Sequence, residues 1–203
     1  PNLEKLVEAG VEVVLTMEGR DTPALEARLN KMGMDVLSFS TNTLPDLHTA
    51  IRSLGVVLRR QAQADSLSQS IARRLENIQE RVQGREPVPV MYVVSVDPPM
   101  TAGPGTFIDE MVRIAGGRSV FNDLSMEWPT VGFEAIVERN PAMLILPSSD
   151  SMSVNIHRLQ DMPGWREVPA VRGGKVVRVD PNLFSRPGPD FPEAVRTLAK
   201  ALH

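Results

Sequence analysis

Residues 60–84 have the sequence RQAQADSLSQSIARRLENIQERVQG, and this stretch decides the fold. Large apolar residues recur in it every three or four positions, at Leu67, Ile71, Leu75, Ile78 and Val82. That spacing places them on one face of an α-helix, while Arg and Glu occupy the other face. The stripe lasts only about three heptads, which favours a helix lying across a domain surface over a coiled coil. The sequence therefore predicts one long helix that ends at Gly84, before the stiff segment Arg85-Glu-Pro-Val-Pro.

Helix and strand patterns alternate on the N-terminal side of this helix. Val11–Thr16 and Met34–Phe39 are short apolar runs typical of buried strands. Between them a polar loop leads to Pro23, which opens a helical pattern that closes at Gly33. A further helix over residues 44–58 precedes the long one. Short connections between strand, helix and strand indicate a βαβ unit with parallel strands.

The same alternation resumes on the C-terminal side of the long helix. Apolar strands are predicted at Val88–Val96, from Met143 and at Val176–Val179, with helical patterns between and after them. We therefore expect an α/β fold in which a long rigid helix joins two Rossmann-like lobes. The predicted boundaries are residues 1–58 for the first lobe, 59–86 for the connecting helix and 87–203 for the second lobe.

The composition excludes several classes of protein. The 203 residues carry a net charge of −3 with acids and bases interspersed, which does not suggest a nucleic-acid-binding surface. The chain has no cysteine, so disulfides, thiolate metal sites and cysteine nucleophiles are absent. No apolar run approaches the roughly 18 residues that a membrane-spanning helix needs. The chain opens at Pro1 within a helical pattern, so we expect residues upstream and an incomplete first lobe.

No motif of catalysis or metal binding emerges from the spacing of reactive residues. The three histidines, His48, His157 and His203, lie far apart, whereas a zinc site needs two or three imidazoles together. Gly103-Pro-Gly105 precedes a helix, but without a lysine or a regular G-x-G-x-x-G it is a poor phosphate loop. Tyr92 stands in the middle of an apolar strand, which favours a packed residue over a haem ligand. The sequence therefore predicts no catalytic residue, no metal site and no cofactor.

Two loops of the second half carry aromatic residues at positions suited to a ligand cleft. Trp128-Pro129 leads into a short amphipathic helix that bears Glu134, and both a core and a rim position stay open for Trp128. Phe184 and Arg186 pair an aromatic ring with a cation in a loop stiffened by prolines. Such loops hold side chains at low entropic cost, as a pre-organised cleft requires.

The order of these motifs resembles the helical-backbone class of bacterial ABC-importer solute-binding proteins, the group that captures vitamin B12, siderophores and haem. The resemblance covers essentially all of the chain, and the closest pattern is that of the vitamin B12 binders. Its marks are the long helix together with Asn2-Leu-Glu-Lys-Leu, Pro98-Pro-Met-Thr-Ala-Gly, Ala115-Gly-Gly-x-x-x-Phe121, Trp128-Pro-x-Val131, Glu134, Arg139-x-Pro141, Pro163-Gly-Trp-x-x-x-Pro169 and Arg186-Pro-Gly-Pro189.

The resemblance implies that a large ligand is held between the lobes without chemical change. The residues expected to contact it are Trp128, Phe184, Arg186, Asn182, Pro99, Met100 and Met17. Asn182 stands where the B12 binders have an acidic residue, so the ligand could be cobalamin, another corrinoid, a siderophore or haem.

The resemblance also implies a membrane partner. Glu134 matches a glutamate that docks onto an arginine pocket of an ABC permease, which works with its ATPase. Asp21 or Glu26 is expected to take the equivalent place on the first lobe. The protein is expected to be a monomer outside the cytoplasm, either free or lipid-anchored. Two alternatives from other classes stay open: an enzyme of the related chelatase-like architecture, and a sensor domain that keeps the fold without transport.

Overall fold

A computed structural model describes residues 2–19, 22–147 and 156–203 of the chain. The helices are α1 (Leu3–Glu8), α2 (Thr22–Lys31), α3 (Leu44–Val57), α4 (Gln61–Val82), α5 (Phe107–Ile114), α6 (Phe133–Arg139), α7 (Ile156–Asp161), α8 (Pro169–Arg172), α9 (Pro181–Phe184) and α10 (Phe191–Leu202), with a 3-10 turn at Trp165–Glu167. The strands are β1 (Val13–Met17), β2 (Asp35–Phe39), β3 (Val88–Val96), β4 (Pro99–Thr101), β5 (Gly117–Ser119), β6 (Met143–Pro147) and β7 (Val176–Val179). Within the described residues, no helix is both long and apolar enough to cross a bilayer.

The first lobe contains the predicted βαβ unit. Strands β1 and β2 pair in parallel, from Val13 opposite Asp35 to Met17 opposite Phe39, and α2 connects them. Helix α3 follows β2 and begins with a capping box, in which Thr43 and Asp46 satisfy each other's backbone N–H groups. The unit is therefore organised as the sequence predicts, although β1 begins two residues later than expected.

Helix α4 is the long helix, and its 22 residues confirm the prediction. At about 1.5 Å per residue it is about 33 Å long. It reverses direction after α3 through Arg59, whose φ is 54°. A Cβ on Gly55 would lie 2.5 Å from the Cβ of Ala64, so α3 and α4 touch at this glycine. Gly55 is therefore needed for close packing of the two helices.

One hydrophobic core extends from α3 and α4 into the second lobe. The apolar stripe of α4 supplies Ile71, Leu75 and Ile78, each at most 8% exposed, whereas Leu67 is 38% exposed. These side chains belong to the same buried cluster as residues of α5, α10 and β3. The connecting helix is thus packed along the second lobe over much of its length. Its apolar face is what holds it there.

The second lobe is an α/β sandwich around a five-stranded sheet. The order β4-β3-β6-β7 is parallel except for the antiparallel pair β3–β4, and β5 also pairs with β3 in parallel. A second buried cluster covers the other face of the sheet and includes Ile136, Leu144 and Trp165. The indole N–H of Trp165 donates to the carbonyl of Val96 at 2.9 Å. The sequence patterns missed β4 and β5, since each has three residues and β4 begins at a proline.

Candidate ligand-binding site

An apolar cavity of about 410 Å³ is lined by residues from both sides of the molecule. Met17 and Phe39 end β1 and β2, and ligands of α/β folds bind beyond the carboxyl ends of such strands. The opposite wall is Pro187-Gly188-Pro189, in the loop after α9. Met17 is 57% exposed, an unusual position for a large apolar side chain. The full lining is Met17, Phe39, Thr41, Leu47, Ala50, Ile51, Leu54, Gly55, Leu58, Arg60, Gln63, Ala64, Leu67 and Pro187–Pro189.

A second cavity of about 390 Å³ adjoins the first along the same proline loop. Asn182 and Arg186 both line it, as do Asp180 and Asp190. The Asp180 carboxylate is engaged, since it accepts the Asn182 backbone N–H at 2.8 Å and caps α9. Arg186 is exposed and has no ion-pair partner among the residues that the structure describes. An unpaired guanidinium at the mouth of a cavity is available to a carboxylate or phosphate of a ligand.

Phe184 is a core residue in this structure, contrary to the prediction that it grips the ligand. Its exposed fraction is 1%, and it belongs to the cluster that contains α4 and α10. The Tyr92 hydroxyl donates to the Phe184 carbonyl at 3.1 Å across 92 positions of sequence. The predicted loop is partly helical here, and α9 turns the ring inward while it leaves Asn182 and Arg186 outside. The aromatic ring and the cation therefore have separate roles.

The Trp128 loop and the Pro99–Met100 segment lie side by side. The Thr101 N–H donates to the Pro129 carbonyl at 3.1 Å, and the Val131 N–H to the Pro99 carbonyl at 2.9 Å. These bonds extend β4 as a bridge to the loop. Trp128 is 37% exposed and Met100 half-buried, whereas Pro99 is buried. Of the two predicted residues on this segment, Met100 is therefore the one accessible to a ligand.

The predicted docking residues differ in their solvent exposure and in the hydrogen bonds that they make. Glu134 is exposed in the first turn of α6, one turn before Glu138. Helix α6 is held at its far end by Arg139, which pairs with Asp123 at 2.9 Å and lies 4.8 Å above the Phe121 ring. Glu26 is half-buried and accepts a hydrogen bond from the Ser38 hydroxyl. Asp21 lies outside the described residues. Glu134 is thus presented to solvent by a braced helix, while Glu26 is tied to its own lobe.

Tyr92 and His48 are both engaged in structural contacts. Burial raises the pKa of Tyr92 above its usual range, which keeps the hydroxyl neutral and donating. His48 is half-buried, 2.7 Å from the Ser68 hydroxyl, and burial and Arg52 both lower its pKa. In the described ranges, no cluster of three or more His, Asp or Glu side chains could hold a metal ion.

Some of the residues that line the larger cavity are not identified by the sequence pattern. Phe39, Thr41 and the largely buried apolar face of α3 line the larger cavity, yet each has the sequence pattern of an ordinary strand or helix residue. The signal that would have found Phe39 is its position as the last residue of a predicted parallel strand. The α3 face gave no such signal, because an apolar helix stripe has the same pattern whether it lines a cavity or a core.

The described residues form two α/β lobes joined by a packed helix, with an apolar cavity lined from both sides and Arg186 in the cavity beside it, and this is the architecture of a two-lobed binding protein. The chain belongs to the periplasmic binding protein family, whose model matches residues 1–183. The family match confirms the resemblance that the sequence motifs indicate. The α/β architecture of the two lobes confirms the predicted fold class.

Three proteins illustrate the relationship. The chain is 29% identical to the uncharacterized ABC transporter substrate-binding lipoprotein YvrC of Bacillus subtilis, covering all of this chain and 65% of that protein. It is 21% identical to the vitamin B12-binding protein of Vibrio cholerae, covering 99% of this chain and 71% of that one. A crystal structure of a possible iron-binding periplasmic solute-binding protein from Staphylococcus epidermidis superposes with a TM-score of 0.85 at 26% identity, over all of this chain and 80% of that chain. The chain thus spans about two thirds of the Bacillus relative.

Proposed function

We propose that this protein captures a large metal chelate between its lobes and delivers it to an ABC permease. The observation that carries the proposal is the pair of adjoining cavities, of about 410 and 390 Å³, that share the loop Pro187–Pro189. Small-molecule sites typically measure about 300–1,000 Å³ and are mostly apolar with a few polar anchors. The apolar cavity supplies contact area for a macrocycle, and Arg186 supplies a charged anchor at its edge.

Cobalamin or another corrinoid is the favoured ligand. The support is the vitamin B12-binding relative together with the Trp128 and Arg186 motifs. The wide, flat face of a corrin fits against an apolar wall. Asn182 and Arg186 can donate hydrogen bonds to the oxygens of its amide side chains. An iron chelate is the alternative, which the iron-binding neighbour of known structure favours.

Delivery requires a membrane partner outside the cytoplasm, and Glu134 is the proposed contact. Its carboxylate is exposed, and Arg139 anchors α6 to the lobe, so a pull on this helix is transmitted to the second lobe. The lipoprotein relative supports an extracytoplasmic location, free or lipid-anchored. No chemical change of the ligand is proposed, because the potential acids, bases and ligands described above serve structural contacts.

A ligand panel tests the proposal on the complete protein. Cyanocobalamin, dicyanocobinamide, haemin and a ferric hydroxamate are each titrated, with melting temperature and tryptophan emission as the readouts. We expect a corrinoid to raise the melting temperature by mass action and to quench emission. The chain has two tryptophans, and Trp165 is fully buried, so quenching that disappears in Trp128→Phe reports Trp128.

The outcomes separate the ligand classes. A response only to haemin or the ferric hydroxamate would replace the corrinoid with an iron chelate. No response to any of the four compounds would remove the capture proposal. Tight stoichiometric binding of bare zinc or iron would favour the chelatase-like alternative instead.

A further inference from the structure

One polar contact joins the two lobes at a defined point. The Glu110 carboxylate, in the first turn of α5, accepts the backbone N–H of Leu44 at 2.7 Å. Leu44 is the first residue of α3, in the first lobe, and 66 positions separate the two residues. Because α5 belongs to the second lobe, this hydrogen bond crosses the boundary between them.

The contact completes the N-terminal cap of α3. The first N–H groups of a helix have no partner inside the helix. Within α3, Thr43 satisfies the Asp46 N–H, and the Asp46 carboxylate satisfies the Thr43 N–H. The Leu44 N–H is left for an outside acceptor, and Glu110 provides it. A carboxylate at this place is also favoured by the partial positive charge of the helix N-terminus.

Glu110 serves two helices at once. It lies in the acidic first turn of α5, while its carboxylate caps the start of α3 in the other lobe. Both Leu44 and Glu110 are half-buried, and Leu44 packs against the shared apolar core. Moving the lobes apart here would strip the N–H of its partner and leave a carboxylate partly dehydrated.

Directional and non-directional contacts differ in what they fix. The apolar contacts of α3 and α4 with the second lobe hold the lobes together, but hydrophobic contact has no direction and tolerates sliding. A hydrogen bond has a narrow range of length and angle, so it selects one relative orientation. Within the described residues, this is the inter-lobe contact in which one lobe's side chain caps a helix of the other.

We propose that Glu110 is a positioning residue that sets the angle between the lobes and thereby the width of the cleft. The structural statement stands without a ligand, and only its consequence for capture rests on the proposed function. When a partner pulls the lobes apart to release ligand, the Glu110–Leu44 hydrogen bond must break. Its loss widens the range of lobe orientations and speeds ligand dissociation.

The test measures lobe orientation directly and uses no ligand. Residues 1–203 contain no cysteine, so Lys31→Cys and Lys175→Cys place one spin label on an exposed site of each lobe of the complete protein, in which any cysteine outside these residues is first replaced by serine. Double electron–electron resonance then gives the distance distribution. We expect a single narrow distribution with Glu110 present and a broader one with Glu110→Ala. Glu76→Ala removes an exposed glutamate of α4, and as the control it leaves the distribution narrow.

Amide exchange at Leu44 supplies the second readout. We expect Glu110→Ala to speed exchange of the Leu44 amide about ten-fold relative to the Ile145 amide, as loss of one charge-assisted hydrogen bond implies. Glu110→Gln keeps an oxygen acceptor without the charge, so its exchange rate and distance distribution fall between those of the native protein and Glu110→Ala. This variant also serves if Glu110→Ala does not fold.

Two outcomes would count against the proposed role of Glu110. Distance distributions in Glu110→Ala and Glu110→Gln identical to the native one would overturn the inference, even if the melting temperature fell. A lower melting temperature alone marks a general structural role. Because no ligand is present, failure of the corrinoid titration leaves this test intact, and the reverse also holds.

Discussion

The substitution Phe184→Ala distinguishes two possible roles of Phe184, as a residue of the hydrophobic core or as a ligand contact. The ring is 1% exposed within the cluster shared by α4 and α10, so the substitution removes a buried ring and leaves a cavity. Truncation of a buried Phe costs about 3–5 kcal/mol in the free energy of unfolding. A domain is typically stable by about 5–15 kcal/mol, so the loss is a large share of the whole.

Urea unfolding is the assay, followed by the emission of the buried Trp165 in a Trp128→Phe background. Phe184→Leu is the volume-retaining control and should cost about 1.5 kcal/mol or less. The slope of the transition should stay unchanged, because the surface exposed on unfolding is nearly the same.

For Arg186→Ala we expect the opposite result, with nearly unchanged stability and weaker ligand binding. Its side chain is exposed and lines the smaller cavity, so stability should change by no more than about 0.5 kcal/mol. Ligand affinity should fall about ten-fold or more, as expected when a charge-assisted hydrogen bond is lost. If Phe184→Ala weakened ligand binding at full stability, or Arg186→Ala unfolded the protein, the assignment of the two residues would be refuted.

Three further substitutions test other parts of the molecule. Trp128→Ala should weaken ligand binding by about 2 kcal/mol in calorimetry, as at a hot spot, and unchanged affinity would exclude it from the contact surface. Glu134→Lys should leave ligand affinity intact yet reduce uptake by cells that depend on this protein, whereas Glu138→Lys, one turn away, should not; normal uptake with Glu134→Lys would refute docking. Tyr92 should make stability fall as pH rises above about 10, the pKa of an unfolded tyrosine, because burial raises its folded pKa and only the unfolded chain then loses the proton. Urea unfolding across that range should show a flatter profile for Tyr92→Phe, and identical profiles would contradict this reasoning.

Periodicity predicted the regular elements well. In α4, five apolar residues recur every three or four positions. This pattern is a local property of the sequence, so it predicted both the length of the helix and its buried face. The βαβ order and the strands β3 and β7 were found for the same reason. The apolar runs of these strands can be recognised without knowledge of their neighbours.

The missed features depend on contacts between distant residues. Phe184 stands among Asn, Ser, Arg and Pro, a local composition typical of an exposed loop, yet its ring is buried and its carbonyl meets Tyr92. Gly55 lies near the end of α3, and the close approach of Ala64, which the pattern of a single helix does not reveal, makes it a packing requirement. The cap that Glu110 places on α3 joins residues 66 positions apart, beyond the reach of any motif window.

The shared core also bears on how the molecule loses its structure. Side chains of α3 and α4 complete the same cluster as those of α5, α10 and β3, so this part of the first lobe shares its core with the second lobe. Separating them would expose the apolar faces of both, and that cost couples their unfolding. Heat and denaturant should therefore melt the lobes in one cooperative transition. We therefore expect one unfolding transition from an architecture that has two parts.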